Sequence, residues 1–286
     1  MKFAWISDHR AAFPVGAMCR VLEVSKSGYY ASLGRPPSAR RRRRAALAAE
    51  VRAVHAENRG VYGSPRVHRA LLARGETVCE NTVAKVMKDE HIAARRKPRF
   101  VPRTTDSRHD HPPAPNVLGR DFAAQVPDRK WAADITYVPT DEGWLYLAAV
   151  IDLCSRRIVG WRMADHMRAE LCAEALGMAL EHRSPGVGLL HHSDRGVQYA
   201  CEDYQRLLED SGIVCSMSRK GDCYDNAVME SFWATLKTEL VYHEHYATRD
   251  QARASIFEYV EVFYNRKRLH SSLGYRSPEA FEASLN

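Results

Sequence analysis

The sequence predicts an α/β core built on a five-stranded mixed sheet, preceded by small all-helical helix-turn-helix units. Three observations predict it. The charge is split: residues 1–120 carry 24 Lys and Arg against 10 Asp and Glu, whereas the remainder carries 18 against 25. The front of the chain shows helical periodicity interrupted by turn residues. From residue 129 the pattern switches to three strand-like segments in succession, followed by helix, strand, helix, strand, helix.

Composition bounds the classes open to such a chain. Its 286 residues, 45% of them hydrophobic, suffice for one large or two to three small domains with a real core. The longest apolar runs, such as "WLYLAAVI" at 144–151, fall far short of the roughly 20 residues that span a bilayer. The opening "MKFAWISDHRAAF" lacks the apolar core of a signal peptide. We therefore expect a soluble cytoplasmic protein with no membrane partner. The seven cysteines are scattered and form no C-x-x-C, which argues against a disulfide framework or a zinc ribbon and fits a reducing cytosol. A basic front half is expected to meet a polyanion; a merely solubilising basic tail is the alternative.

Taken in order, residues 1–34 place Val15, Met18 and Leu22 at helical spacing, with "EVSKS" breaking the pattern before Gly28, Tyr29 and Tyr30. Two short helices with a turn are expected there. Residues 35–44, "RPPSARRRRR", read as a basic linker in which Arg41, Arg42 and Arg43 are candidate DNA contacts. Residues 45–94 read as a second helical unit. Ser64 is its expected N-cap, Pro65 its first helical residue, Gly75 a stop and Asn81 the cap of the last helix. A basic last helix fits a major-groove reader, with Arg66 and Lys85 as candidate contacts, although a generic helical hairpin would show the same pattern. Residues 95–128 hold six of the thirteen prolines and read as a linker.

The core is expected over 129–240, with a helical extension over 241–286. "KWAADITYVPT" puts Trp131, Ala133, Ile135 and Tyr137 on one side of a strand and Ala132, Asp134, Thr136 and Val138 on the other. "GWLYLAAVIDLCSR" and "RIVGWRMAD" complete an antiparallel meander. "RAELCAEALGMALEHR" is a helix, "VGLLHHSD" a short strand, "CEDYQRLLEDSG" a helix and "IVCSMSR" a fifth strand. Two long helices close the chain. This order is what a ribonuclease-H-like fold requires.

Three carboxylates then draw together. Asp134 lies mid-strand, Asp194 ends the fourth strand, and Glu230 shares a helix face with Asn226, Trp233 and Lys237. If the first and fourth strands are neighbours, the aspartates converge and the helix can lay Glu230 over them. An all-oxygen set suits Mg²⁺ or Mn²⁺. Two such ions would activate an attacking hydroxyl and stabilise a leaving oxygen in phosphodiester transfer, with Asp134 as the bridging ligand. Each acid alone has an ordinary reading as a local cap, a turn residue or a solvated helix position.

Together they carry a resemblance. Asp194 and Glu230 are separated by 35 residues, the D,D(35)E spacing. The words "WAADITYV", "HHSDRGVQY" and "DNAVMESFWATLKTEL" resemble the retroviral-integrase-type transposases of bacterial insertion sequences. More narrowly, with "YGSPRVHRAL" and "YNRKRLHSSLGYRSPEAF", the chain resembles the OrfB proteins of insertion-sequence family three over nearly its whole length. The resemblance implies an integrase catalytic core. It further implies metal-dependent strand cleavage at terminal inverted repeats and 3′-OH attack on target DNA without a covalent enzyme intermediate. A homo-oligomer on DNA in the bacterial nucleoid and an upstream-frame OrfA partner, usually joined by frameshifting, are also implied.

Around the triad, Lys237 is expected to position the DNA backbone, Arg195 with Gly196 to approach a phosphate, and Asn226 to orient a ligand or to cap its helix. Arg266, Lys267, Arg268 and His270 are expected near DNA. His191 and His192 point to opposite faces of a strand and are not expected to bind metal. No Walker or GxGxxG pattern occurs. The competing readings are a nuclease of the same fold that cannot join strands, a DNA-binding regulator using only the front half, and an inactive element remnant.

Overall fold

Alternation over Lys130–Thr140 produces β1, and the turn at Gly143 (φ 103°) folds it back on β2 (Gly143–Asp152), every residue from Trp131 to Thr140 finding an antiparallel partner. This is a computed structural model, and it describes residues 1–96, 114–219 and 223–285. β3 (Ile158–Ala164) continues the meander antiparallel to β2. β2 is buried on both faces, which explains its nearly unbroken apolar run.

Before this sheet come six helices. α1 (Lys2–His9), α2 (Val15–Val21) and α3 (Lys26–Gly34) enclose a small separate core of Ile6, Met18, Cys19 and Tyr29. Two helices were expected in this stretch; α1 is the addition. α4 spans Ala39–Glu57, α5 Ser64–Ala73 and α6 Glu80–Asp89. The expected basic linker is corrected here. The Ser38 hydroxyl accepts the Arg41 N–H, so helix begins directly behind the two prolines and all five arginines, Arg40 to Arg44, belong to α4. Five cations oppose the dipole at a helix start; an Arg44–Asp89 ion pair to α6 offsets part of that. Two expected caps also shift. Gly63 precedes α5, with Ser64 already helical, and Cys79 precedes α6, leaving Asn81 in its first turn.

After β3, α7 (Ala169–Arg183) crosses the sheet. It packs on β3 at Gly160, where a Cβ would stand 2.2 Å from the Ala175 carbonyl oxygen. β4 (Leu190–Ser193) pairs parallel with β1, and after α8 (Val197–Ala200) and α9 (Glu202–Asp210) comes β5 (Val214–Met217), parallel to β4. The strand order is β3-β2-β1-β4-β5, a five-stranded mixed sheet. α7, α8 and α9 cover the face of Trp131 and Ala133. α10 (Ala227–Glu239) and α11 (Arg249–Phe257) cover the face of Ala132 and Val138, which is also the face of Asp134. α11 widens into a π-helical turn over Glu258–Tyr264, and α12 (Pro278–Ala283) ends the chain.

The α4–α6 unit is not a free module. Its apolar residues Val54, Val67 and Leu71 share one continuous core with α10 and α11. The Tyr62 hydroxyl donates to the Lys267 carbonyl at 3.2 Å and accepts the Leu269 N–H at 2.8 Å. Arg95 donates to the Glu239 carbonyl at 2.8 Å. Among the described residues no helix is long and apolar enough to cross a membrane.

Candidate active site

Strand register brings the two aspartates level. Ala132 of β1 pairs with His192 of β4, so two residues further along both strands stand Asp134 and Asp194. The Asp134 carboxylate accepts its neighbour Ile135 N–H at 2.8 Å and the Trp233 indole N–H of α10 at 2.9 Å. Asp194 accepts the Gly196 N–H at 2.8 Å. A Cβ on Gly196 would lie 3.0 Å from that same carboxylate oxygen and 2.8 Å from the Gln198 side chain, so glycine is what permits the turn.

Burial first, then the Asp194 charge, push the Asp134 carboxyl up to about 7; the two N–H donors oppose the shift and Glu230 adds to it. Desolvation also raises Glu230. Like charges thus gather at one sheet edge. They do not close into a finished cage: Glu230 is exposed on α10, and among the described residues no group of three acids, histidines or cysteines stands close enough to hold an ion. The structure brings Asp134 and Asp194 together and sets Glu230 on the helix above them.

Lys237 is half-buried, its ammonium 4.8 Å from the Tyr137 ring centroid. Desolvation lowers its pKa while the charge of Asp134 works against that, so it flanks the acids. Asn226 neither caps α10 with its side chain nor points to solvent. Its amide donates to the Ala133 carbonyl at 3.1 Å, tying the start of α10 to β1 one residue before Asp134. The histidines are built into the sheet: His191 meets the Tyr204 hydroxyl at 3.1 Å, and His192 meets Ser216 and Ser218 at 2.9 and 3.2 Å.

Several expected DNA contacts are placed elsewhere. Arg268 is buried and doubly bonded to Glu239, at 2.8 and 2.6 Å, so it is a core ion pair and not a DNA contact. Arg66 donates to the Leu269 carbonyl at 2.8 Å and lies 3.9 Å from Glu239; it docks the helical unit on the core. Arg195 donates to the Ser218 carbonyl and braces the Asp194 turn. Arg266 and Lys267 remain exposed. Lys85 is exposed on α6 and shares a cavity of about 440 Å³ with Arg40, Arg43 and Arg44 of α4, while Arg41 and Arg42 face solvent.

One residue that the sequence did not single out is Asp225. It is fully buried and held well below the usual carboxylate range, first by the Arg219 side chain and also by Arg120. It anchors Asn116 as well, at 2.8 Å, and so fixes the approach to α10. Its place in "YDNAVME", directly before a helix, was the available signal.

The chain is similar to known proteins over nearly its whole length. Two family profiles described as "Integrase core domain" match residues 124–223 and 211–278, and one described as "HTH-like domain" matches 41–100. The chain is 46% identical over 264 residues to the "Insertion element IS600 uncharacterized 31 kDa protein" of Shigella sonnei, covering 92% of this chain and 97% of that protein. It is 43% identical over 284 residues to "Transposase InsF for insertion sequence IS3A" of Escherichia coli (strain K12), covering 99% and 98%. Among solved structures it is similar to the HTLV-2 integrase catalytic core domain in complex with magnesium, at 12% identity and TM-score 0.42, covering 55% of this chain and 97% of that one. On the strength of the two full-length relatives and the integrase core profiles, this chain belongs to the IS3-type insertion-sequence transposases, DNA-binding polynucleotidyl transferases with a ribonuclease-H-like integrase core.

Proposed function

We propose that Asp134, Asp194 and Glu230 are the catalytic acids of this transposase and its metal ligands. The observation that carries the assignment is the convergence of Asp134 and Asp194 under α10, with carboxylate repulsion and burial pushing Asp134 up to about 7. A divalent cation beside a cluster of partly desolvated acids relieves their mutual repulsion and favours their ionised forms. The donor set, all carboxylate oxygen, fits Mg²⁺ or Mn²⁺. When bound, two such ions supply a Lewis acid at the scissile phosphate and a more acidic attacking hydroxyl.

The chain's own residues do the rest. Trp233 and the Ile135 N–H, each donating to a different oxygen, fix the Asp134 carboxylate in one orientation. Gly196 does the same for Asp194. Glu230, exposed on α10, would complete the set of residues that hold the ions. Lys237 holds a backbone phosphate beside the acids. The α4–α6 unit, which begins at Ala39, binds the terminal inverted repeats through the cleft of Arg40, Arg43, Arg44 and Lys85, with Arg41, Arg42, Arg266 and Lys267 as outlying contacts. Cleavage and joining require two element ends, so the working form is a homo-oligomer on DNA. The OrfA product of the upstream frame, as fusion or partner, adds further end binding.

Counting bound Mn²⁺ by electron paramagnetic resonance on the DNA complex tests the metal assignment. Two ions per active site in the wild type, and fewer in Asp134→Asn, are expected. Equal Mn²⁺ binding by wild type and Asp134→Asn would refute the ligand assignment.

A further inference from the structure

A cavity of about 260 Å³ opens on the side of α10 turned away from Glu230. Ser231 and Thr235 of α10 line it, with Arg156 from the β2–β3 turn and His270 and Ser272 from the C-terminal tail. On a helix, positions 231 and 235 form a face distinct from that of 226, 230, 233 and 237. Among the described residues no acid lines the cavity.

Arg156 is the unusual member. It is half-buried, and among the described residues its guanidinium makes neither an ion pair nor a hydrogen bond. The acid whose charge reaches it, Asp152, is already engaged by the N–H groups of Asp128, Cys154 and Ser155 and by the Ser155 hydroxyl. The surroundings deepen the imbalance. Burial, with the guanidiniums of Arg268, Arg66 and Arg156, keeps His270 neutral and its pKa lowered to about 3. Among the described residues Glu239 is the one acid paired with any of these three arginines. Arg66 and Arg268 share that carboxylate and Arg156 pairs with no acid among the described residues, and a half-buried cation without an ion-pair partner is costly.

Three aliphatic hydroxyls beside a guanidinium that pairs with no described acid, in a cavity otherwise lined largely by apolar side chains such as Ile151, Val228 and Phe232, are donor chemistry for a tetrahedral oxyanion. We propose that this cavity is a phosphate-binding site, with Arg156 as its charged ligand and Ser231, Thr235 and Ser272 as its hydroxyl donors. The phosphate is either a free one or a phosphodiester of bound DNA. Occupancy bridges the β2–β3 turn, α10 and the tail on which the α4–α6 unit docks. It therefore steadies the helix that carries Glu230 from the opposite face. The site does not depend on the assignment of the catalytic acids.

The test uses the full chain, free of divalent metal, in three forms: wild type, Arg156→Gln, and the double variant Ser231→Ala with Thr235→Val. Thermal midpoints are measured against inorganic phosphate at ionic strength held constant with chloride. Phosphate is expected to raise the wild-type midpoint, with an apparent Kd at least about tenfold weaker in each variant, as loss of a charge-assisted contact implies. The double variant keeps the test open should Arg156→Gln fold poorly. A second arm measures the salt dependence of binding to an element-end duplex. A log–log slope about one unit shallower in Arg156→Gln identifies DNA phosphodiester as the occupant. An unchanged slope with phosphate protection intact in the wild type identifies a free phosphate. Equal protection of all three proteins, or none of any, together with an unchanged slope overturns the proposal.

Discussion

At the scale of the residue, the proposed chemistry turns on Asp134, whose carboxyl Trp233 tunes. The indole N–H favours the ionised carboxylate, opposing the burial and the Asp194 charge that raise it. Replacing Trp233 by Phe removes that donor and leaves the rest of the apolar contact. The Asp134 pKa then rises, so the acid limb of the cleavage rate profile is predicted to move to higher pH while DNA affinity stays constant. A pH–rate series at limiting Mg²⁺, where the proton and the ion compete for Asp134, checks this, and an unmoved limb would count against Trp233 as a positioning residue. A stability effect follows from His270. Its folded pKa lies near 3 against 6.5 unfolded. Between those values the unfolded chain binds the extra proton, so stability falls as pH drops through 6.5, by about 1 kcal/mol at pH 5.5 from this residue. Urea unfolding of wild type and His270→Gln in phosphate-free buffers at pH 7.5 and 5.5 should show a smaller loss in the variant.

At the scale of the element, two contacts position the helices that frame the site. α7 reaches the sheet only because residue 160 is glycine; a methyl group there would meet the Ala175 carbonyl at 2.2 Å and Ala179 at 2.7 Å. Gly160→Ala is predicted to cost about 1–3 kcal/mol through overpacking, read as a thermal midpoint several degrees lower; an unchanged midpoint would mean that α7 shifts without penalty. The end of α10 is held by the buried Glu239–Arg268 pair, with the Tyr259 hydroxyl donating to Glu239 at 2.8 Å. Much of this level was legible in the sequence. Period-two alternation gave β1 and the side on which Asp134 lies, and the strand order set β4 beside β1, which brings Asp194 level with Asp134. The cationic residues were not so legible. Arg66 and Arg268 sit in basic stretches that look solvated, and nothing local reveals that both meet Glu239 across the fold. The π-helical turn was missed for a related reason: it exists to bring Tyr259, Phe263 and Tyr264 inward, a requirement of packing and not of propensity. The run of arginines misled because a single capping serine turned an apparent linker into the first turn of α4.

At the scale of the whole molecule, a basic front half precedes an acidic half, and the α4–α6 unit packs on the latter through buried contacts. Val54, Val67 and Leu71 of the helical unit share a core with α10 and α11. Cutting the chain near residue 125 would strip that core, so surface substitutions are the cleaner probe of DNA binding. Arg43→Gln combined with Lys85→Gln, both in the α4–α6 cleft, is predicted to make the log–log salt slope of end binding shallower by about two units. An unchanged slope would place the end elsewhere on the protein. The central claim is that three acids, drawn from β1, the end of β4 and α10, act as one catalytic unit. Strand joining by a 3′-OH element-end oligonucleotide into target DNA, in Mg²⁺, tests it most directly. The account predicts joined product with wild type and a loss of about 10³-fold or more in each of Asp134→Asn, Asp194→Asn and Glu230→Gln, with end binding retained. Joining at the wild-type rate in any one of the three would contradict it.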